Sequence, residues 1–231
     1  MGSTALITGG TGGLGVAVTE AFLKAGWRVV VPVFHDAGRD RLAPHERLVL
    51  HGGADLMDEG SVREVVTLAA EDGGAPLRAV ANLVGGFAIG ERVHATPIEE
   101  FEAQFRLNLR PTYLVCRAAL PALMAAGGGA IACVSTRAAL RPFSGAAGYI
   151  ASKAAVLAFV DALATEYRDD GVRANAVLPS VIDTPANREA MPDADHDRWV
   201  APAQIADVVR YLCSEEAGAV SGAHVPVYGR A

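Results

Sequence analysis

The sequence predicts an α/β protein: one doubly wound domain spanning residues 1–231, with helices on both faces of a mostly parallel, seven-stranded sheet. Three observations carry this prediction. Short apolar runs alternate with helical segments along the whole chain. The runs are apolar at nearly every position, which is typical of strands in a sheet covered on both faces. No linker, repeat or low-complexity tract interrupts the alternation.

The elements follow in order from spacing and from punctuating residues. Apolar runs that end at glycine or polar residues predict the strands, which are 3–8, 28–34, 47–56, 78–86, 128–135, 172–179 and 223–229. Apolar residues three and four apart predict the helices, which are 15–26, 58–72, 97–107, 111–126, 148–171 and 201–215.

Residues 183–200 form the least regular segment, which is polar and contains Pro185 and Pro192. Because proline disfavours a helix interior or a central strand, we expect a loop here. It follows a strand at the edge of the sheet where ligands bind in this architecture. Two roles are open: a mobile lid that closes over a substrate with Met191 and Trp199 facing inward, or a rigid loop packed on a neighbouring subunit.

Composition narrows the functional classes. The net charge is −6 and no basic stripe is present, so nucleic acid is not an expected partner. The isolated cysteines Cys116, Cys133 and Cys213 are expected to be buried, and no metal site is predicted. The start of the chain resembles no signal peptide, and no stretch of about 20 residues reads as a membrane span. These observations predict a cytoplasmic protein without a membrane partner.

A glycine-rich loop follows the first predicted strand and opens the first helix. Its letters are "TGGTGGLG", with Gly9, Gly13 and Gly15 in a G-x-x-x-G-x-G pattern. Such glycines allow a tight turn and let the backbone approach a pyrophosphate at a helix N-terminus. The loop therefore predicts a nucleotide site made by Gly9, Thr11, Gly12, Gly13, Leu14 and Gly15, and it lacks the GxxxxGK[ST] of a P-loop.

A tyrosine and a lysine are spaced for joint chemistry in "GYIASKAAV". Tyr149 and Lys153 lie four residues apart and share one helix face. An ammonium group beside a phenol favours the phenolate and lowers the pKa of the tyrosine. Such a tyrosine gives a proton to a carbonyl oxygen or takes one from an alcohol.

These motifs together resemble the short-chain dehydrogenase/reductase family over nearly the whole chain. "TGGTGGLG" matches its TGxxxGxG, "NLVG" stands where the family has NNAG, and "YIASK" matches its YxxxK. The resemblance implies a Rossmann-type fold, a nicotinamide cofactor and hydride transfer to or from a small carbonyl, imine or alcohol. It adds Asn108 to the catalytic residues as the group that positions a proton-relay water. It makes Lys153 a ligand of the nicotinamide ribose. It adds the following cofactor-binding residues: Asp55, Leu56, Asn82, Gly85, Tyr149, Lys153, Pro179, Ile182 and Thr184.

The chain departs from the family at the substrate-orienting hydroxyl. The family has a serine there, 13 residues before the catalytic tyrosine. Counting back 13 residues from Tyr149 gives Thr136. A one-residue difference in the loop would instead give Ser135. Both remain candidates, and the register favours Thr136.

A second departure concerns the choice between NAD(H) and NADP(H). The family places an aspartate for the NAD ribose at the end of the second strand, where this chain has Val33. His35, Arg39 and Arg41 follow closely and would attract a 2′-phosphate, although Asp36 is also close. The balance leans slightly to NADP(H).

Two segments, "NLVGGFAIG" and "DTPANREAMPDAD", also resemble dihydropteridine reductases. Reduction of a dihydropterin is therefore one alternative function, and a non-catalytic NAD(P)-sensing regulator is another. The family resemblance further implies a homotetramer or homodimer that uses the helix carrying Tyr149.

Overall fold

A computed structural model describes residues 2–35 and 38–230. Within these residues seven strands form one sheet in which every pairing is parallel, so the predicted fold class is confirmed. The spatial order is β3-β2-β1-β4-β5-β6-β7. The strands are β1 Thr4–Thr8, β2 Arg28–Val33, β3 Leu48–Gly52, β4 Leu77–Asn82, β5 Gly129–Val134, β6 Val172–Pro179 and β7 His224–Val227.

Helices connect the strands and lie on both faces of the sheet. They are α1 Gly15–Lys24, α2 Glu59–Ala70, α3 Ile98–Asn108, α4 Arg110–Ala125, α5 Ala147–Glu166, α6 Pro185–Ala190 and α7 Pro202–Cys213. On one face the buried apolar side chains of α1 and α7 pack on the strands, and on the other those of α2, α4 and α5 do so. The sheet is thus apolar on both sides, as the continuous apolar runs indicated.

Several predicted boundaries were wrong: the predicted strands 47–56 and 78–86 end at Gly52 and Asn82, each four residues early. The helix carrying Tyr149 ends at Glu166 rather than at Gly171, and the intervening residues form a turn that closes with Gly171 at φ +72°. Pro185 does not prevent a helix but begins α6, because the first turn of a helix leaves its N–H groups unbonded within the helix. The Thr184 hydroxyl caps this helix by accepting a hydrogen bond from the Asn187 N–H at 3.3 Å.

By length and composition alone α5 is apolar enough to cross a membrane, so the expectation that no segment would read this way was wrong. The helix owes its composition to packing. One face buries Val156, Leu157, Val160 and Leu163 in the core against the sheet. Long core helices pass the same compositional test, so the finding is weak evidence for a span.

The order of the strands reverses between β1 and β4, which positions the site. The connections from β1 and β4 leave towards opposite faces, and a crevice opens between them at the carboxyl ends of the strands. The glycine-rich loop, the residues after β4 and β5, and the start of α5 all lie at this edge. A separate cleft of about 990 Å³ lies at the opposite end, where Gly129, Val172 and Arg173 begin their strands.

Candidate active site

The glycine-rich loop has the backbone geometry that a dinucleotide pyrophosphate requires. Gly9 adopts φ +68°, in the left-handed region that favours glycine. A Cβ on Gly15 would overlap the carbonyl oxygen of Gly9, so the loop closes tightly onto the start of α1. A Cβ on Gly13 would lie 2.8 Å from Cγ2 of Thr184. The loop therefore faces Thr184 across a cradle that any larger side chain would fill, which fits the predicted cofactor.

Tyr149 lies at the first turn of α5, and its phenol meets the hydroxyl of Thr136. Burial raises the pKa of Tyr149, while the hydrogen bond from Thr136 lowers it. Thr136 Oγ1 accepts from the Ala138 N–H at 3.2 Å, which leaves the hydroxyl proton free to point towards Tyr149. The residue that the 13-residue spacing indicates is thus the one in contact with the tyrosine.

Ser135 has a different environment. Its hydroxyl donates to the main-chain carbonyl of Lys153 at 2.8 Å, and the residue is only 3% exposed. This bond joins the end of β5 to the helix that carries both tyrosine and lysine. Ser135 therefore supports α5, and its hydroxyl proton is already used in the hydrogen bond to the Lys153 carbonyl, so it is not available to a substrate oxygen.

Lys153 is deeply buried beside the strand end. Its Nζ donates to the carbonyl oxygen of Val134 at 3.0 Å, and the residue is 5% exposed. Burial lowers the pKa of Lys153 to about 8. The expected depression of the Tyr149 pKa by this lysine does not appear, because the lowering contribution comes from Thr136 instead.

The lowered pKa of Lys153 predicts how the stability of the fold depends on pH. Between pH 8 and its ordinary value of 10.5, the unfolded chain binds this proton while the folded chain has lost it. Stability must therefore rise with pH across this window. Relative to Lys153→Met, we expect the wild-type free energy of unfolding to rise by about 3 kcal/mol over this range in urea titrations. The exposed Lys24 provides the matched control Lys24→Met, and a rise that disappears in that variant too would contradict the assignment.

Asn108 ends α3 and is fully buried, with both ends of its amide bonded. Its Oδ1 accepts from the Gly86 N–H at 2.9 Å, and its Nδ2 donates to Ser152 Oγ at 3.1 Å. A Cβ on Gly85 would lie 2.7 Å from Asn108 Oδ1 and 2.8 Å from Lys153 Nζ. Glycine at 85 thus allows the loop after β4 to pass directly over two of the predicted catalytic side chains.

The other predicted cofactor-binding residues lie around the same crevice. Asp55 accepts the Met57 N–H at 2.8 Å, and the neighbouring Leu56 is buried. The Asn82 amide points inward to Cys116 Sγ at 3.2 Å, and its Oδ1 has no hydrogen-bond partner among the residues that the structure describes. Its place in the structure is therefore below the crevice, at the end of β4. Pro179, Ile182 and Thr184 follow one another along the end of β6 and the start of the next segment.

The cofactor-selecting region at the end of β2 is described in part. Val33 is 2% exposed and belongs to the core rather than to the crevice. Asp36 lies outside the described residues. Gly38 lies close to the glycine-rich loop, since a Cβ there would be 3.3 Å from the carbonyl oxygen of Thr11 and 3.6 Å from Arg41 Nε. Arg41 therefore extends from a turn that borders the nucleotide loop.

Segment 183–200 is more ordered than the sequence indicated. Besides α6, it contains a parallel bridge between Ile182 and Val200 and a bidentate ion pair between Arg188 and Asp183. This pair lowers the pKa of Asp183. Met191 is exposed, and Trp199 is half-buried against the ring of His196. Closure of this segment over a substrate stays a prediction.

The structure places the ring of Phe87 beside the tyrosine and the ring of Phe143 beside Phe87. The rings of Phe87 and Tyr149 meet edge to face with centroids 5.0 Å apart, and Phe143 lies 6.3 Å from Phe87. Two supporting residues were missed. Ser152 Oγ donates to the Tyr149 carbonyl at 2.8 Å. The guanidinium of Arg137 lies over the Tyr228 ring, 5.6 Å from its centroid. Their polar and aromatic types alone give no signal of these contacts.

Residues 9–229 match the sequence profile of a protein family described as Enoyl-(Acyl carrier protein) reductase. A curated relative is 2-(R)-hydroxypropyl-CoM dehydrogenase of Xanthobacter autotrophicus. It is 32% identical over 99% of this chain and 98% of its own length.

Solved structures show the same likeness. A protein described as a short chain dehydrogenase/reductase family protein superposes with a TM-score of 0.88 at 30% identity, covering 99% of this chain and 96% of its own. The protein ElxO with NADP bound superposes with a TM-score of 0.91 at 23% identity, covering 99% and 98%. At that identity the second likeness bears on the fold alone.

Proposed function

The chain belongs to the short-chain dehydrogenase/reductase family and is an NAD(P)-dependent oxidoreductase, and from this premise we propose how its residues divide the reaction. Tyr149 is the acid and base, Thr136 orients the substrate oxygen, and Lys153 and Asn108 position groups around them. The substrate is a small carbonyl or imine, or in the reverse direction an alcohol. The observation that carries this division is that the Thr136 hydroxyl lowers the pKa of Tyr149, while the buried Lys153 is held by the Val134 carbonyl at the end of the same strand.

The two hydroxyls define where the substrate oxygen binds. An oxygen within hydrogen-bond distance of both the Tyr149 phenol and the Thr136 hydroxyl receives two donors. When bound, the nicotinamide supplies the hydride that forms the new C–H bond at the carbonyl carbon. Tyr149 gives its proton to the oxygen, so the carbonyl becomes an alcohol and the phenol becomes a phenolate. In oxidation the phenolate takes the alcohol proton back.

The remaining residues act on the tyrosine and on the cofactor ribose. Lys153 acts on the cofactor, since the contribution that lowers the pKa of Tyr149 comes from Thr136. Its Nζ carries three donors, one of which is held by the Val134 carbonyl, so two remain for ribose hydroxyls and water. Asn108 uses its side chain to hold Gly86 and Ser152, so it supports the site through the loop after β4 and through α5.

A substrate panel tests the activity. Purified protein would be incubated with NADPH or NADH and with aryl ketones, aliphatic ketones, aldehydes and a quinonoid dihydropterin, and cofactor absorbance would be followed. Turnover of a ketone or aldehyde supports the proposal, and turnover of the dihydropterin alone would support the dihydropteridine alternative. Cofactor binding without reduction of any of these substrates would favour a sensor.

For the cofactor we propose NADP(H) over NAD(H). Val33 offers no carboxylate that would bind a ribose diol or repel a phosphate, and Arg41 borders the nucleotide loop. A carboxylate introduced at the buried Val33 would disturb the core, so Arg41 gives the cleaner test.

Arg41→Gln is expected to weaken NADPH binding about 10- to 150-fold and to leave NADH binding within about twofold, because a charge-assisted hydrogen bond to a phosphate is worth about 1.5–3 kcal/mol. Fluorescence titration of both cofactors measures the two dissociation constants. Arg47→Gln is the matched control, since Arg47 is exposed and donates to Gly26 at the far end of α1. Equal weakening of both cofactors by Arg41→Gln would remove the basis for NADP(H).

We also propose that the protein is a homodimer or homotetramer that associates through α4 and α5. Tyr113 of α4 and Phe159 of α5 face each other with ring centroids 5.8 Å apart. Phe105, Leu109 and Ala155 continue this apolar surface, and Arg106 and Arg110 border it. Nearly half of the Tyr113 side chain is exposed, so this apolar patch is open to solvent in the single chain. Exposed apolar patches of this kind are typical of protein–protein contacts.

The Ala155→Arg variant is expected to shift the mass measured by light scattering towards the monomer, because a charge would be desolvated at the centre of the contact. Thr67→Arg is the control, since Thr67 is exposed on α2, outside the proposed contact. A wild-type protein that is monomeric at micromolar concentration would contradict the proposal.

A further inference from the structure

Two phenylalanines beside the predicted proton donor are unusually exposed. Phe87, in the loop after β4, is 60% exposed, and Phe143, in the loop before α5, is 45% exposed. With the ring of Tyr149 they form a continuous aromatic rim, defined here as Phe87, Phe143 and Tyr149. A backbone hydrogen bond from Gly90 N–H to the Gly145 carbonyl, 2.8 Å long, joins the two loops and fixes their relative positions.

The rings of the rim have a defined orientation and remain exposed to solvent. Phe87 stands at 90° to Tyr149, so the edge of one ring meets the face of the other. More than half of the Phe87 side chain nevertheless remains accessible, and exposed apolar surface of this size costs about 25 cal/mol per Å² relative to burial. A ring of this kind that stays exposed next to the reacting atoms is a surface prepared for an apolar group.

We propose that the substrate carries a flat aromatic or conjugated ring directly next to its reacting carbonyl, and that Phe87 selects this ring. This inference rests on the proposed function, because it places the carbonyl oxygen at Tyr149 and Thr136. A substituent on that carbonyl then lies beside the Tyr149 ring, whose nearest aromatic neighbour is Phe87, at 5.0 Å. Aromatic rings 4.5–7 Å apart attract one another beyond the effect of buried area alone.

Two arginines in the segments around the site already have partners, so neither is available to an anionic substrate. The guanidinium of Arg137 stacks on Tyr228, and that of Arg188 forms its bidentate pair with Asp183. Both cations already have partners. The rim itself presents carbon surface and one phenol, which suit a neutral planar group.

Matched ketones separate a ring preference from a simple preference for size. Acetophenone and cyclohexyl methyl ketone have the same carbon skeleton, and only the first has an aromatic ring. The kcat/KM ratio of the two ketones would be measured in the wild type and in Phe87→Leu. Because intrinsic reactivity is the same for both enzymes, it cancels when the two ratios are compared. The control variant is Phe34→Leu, which makes the same change at a residue that is 56% exposed at the end of β2.

We expect the acetophenone preference to fall about 3- to 10-fold in Phe87→Leu, as the loss of one aromatic contact predicts, and to stay unchanged in Phe34→Leu. Equal ratios in the wild type and Phe87→Leu would overturn the ring proposal while leaving the reductase activity intact. Reduction of neither ketone, nor of any other carbonyl, would instead overturn the proposed function.

A binding measurement does not depend on turnover or on the variant's folding. Benzamide and cyclohexanecarboxamide are unreactive counterparts of the two ketones, and calorimetry on the wild-type protein with NADP(H) bound gives their dissociation constants. Tighter binding of benzamide by about threefold or more supports the proposal. Equal affinities, or tighter binding of the cyclohexane amide, would overturn it.

Discussion

Tyr149→Phe is expected to bind the nicotinamide cofactor almost as tightly as the wild type and to lose about 10²- to 10⁴-fold in kcat. The substitution removes one oxygen and retains the ring that packs edge to face with Phe87. Without that oxygen no acid remains at the substrate carbonyl, because the Thr136 hydroxyl has too high a pKa to deliver its proton. The loss should therefore appear in kcat and not in cofactor affinity.

Tyr211→Phe is the matched control for this experiment, since it removes a phenol oxygen from an exposed residue of α7. Steady-state kinetics and cofactor fluorescence titration would be measured for both variants. A Tyr149→Phe enzyme with wild-type kcat on its best substrate would contradict the acid–base assignment. A variant that had lost cofactor binding as well would point to a structural defect in α5.

Thr136→Ala is expected to lower kcat/KM by about 100-fold, and Ser135→Ala by much less. The two hydroxyls are adjacent in sequence but have opposite environments. Thr136 contacts Tyr149, whereas Ser135 donates to the carbonyl of Lys153 and is almost fully buried. Ser135→Ala should instead lower the melting temperature, because it leaves a buried hydrogen bond unmade.

Thr136→Ser distinguishes a chemical role from a packing role. It restores the hydroxyl without the methyl group, so it should recover most of the activity that Thr136→Ala loses. The kinetic constants and melting temperatures of all three variants decide the assignment. A larger kinetic loss in Ser135→Ala than in Thr136→Ala would transfer the orienting role to Ser135.

The fold was predictable because its signals are local. A strand covered on both faces, such as Gly129–Val134, is apolar along its length, so it can be recognised without knowledge of its neighbours. The glycine-rich loop was predictable for the same reason, since positive φ at Gly9 and the close approach at Gly15 each demand a residue without a Cβ. The end of α5 and the existence of α6 depended on capping and turn geometry, which the letters indicate only weakly.

The candidate site was predictable in its residue types and less so in its contacts. The 13-residue spacing favoured Thr136 but left Ser135 open, because a hydrogen bond between Ser135 and a carbonyl 18 residues later depends on tertiary packing. The orientation of Phe87 towards Tyr149 likewise results from the meeting of two distant loops. The sequence placed Val33 at the end of the second strand, but it did not show that the Val33 side chain is buried in the core.

The carbonyl groups of Tyr149 and Lys153 each accept a second bond from a serine hydroxyl, Ser152 and Ser135 respectively. The helix turn that carries the chemistry is therefore clamped through its backbone, independently of the groups that react. Such preorganisation means that little conformational entropy has to be lost each time a substrate arrives. It also means that a chemist can replace the phenol or the ammonium with another functional group and still find that group held in the same place. The first turns of α5 are thus a suitable position at which to introduce side chains for a different reaction.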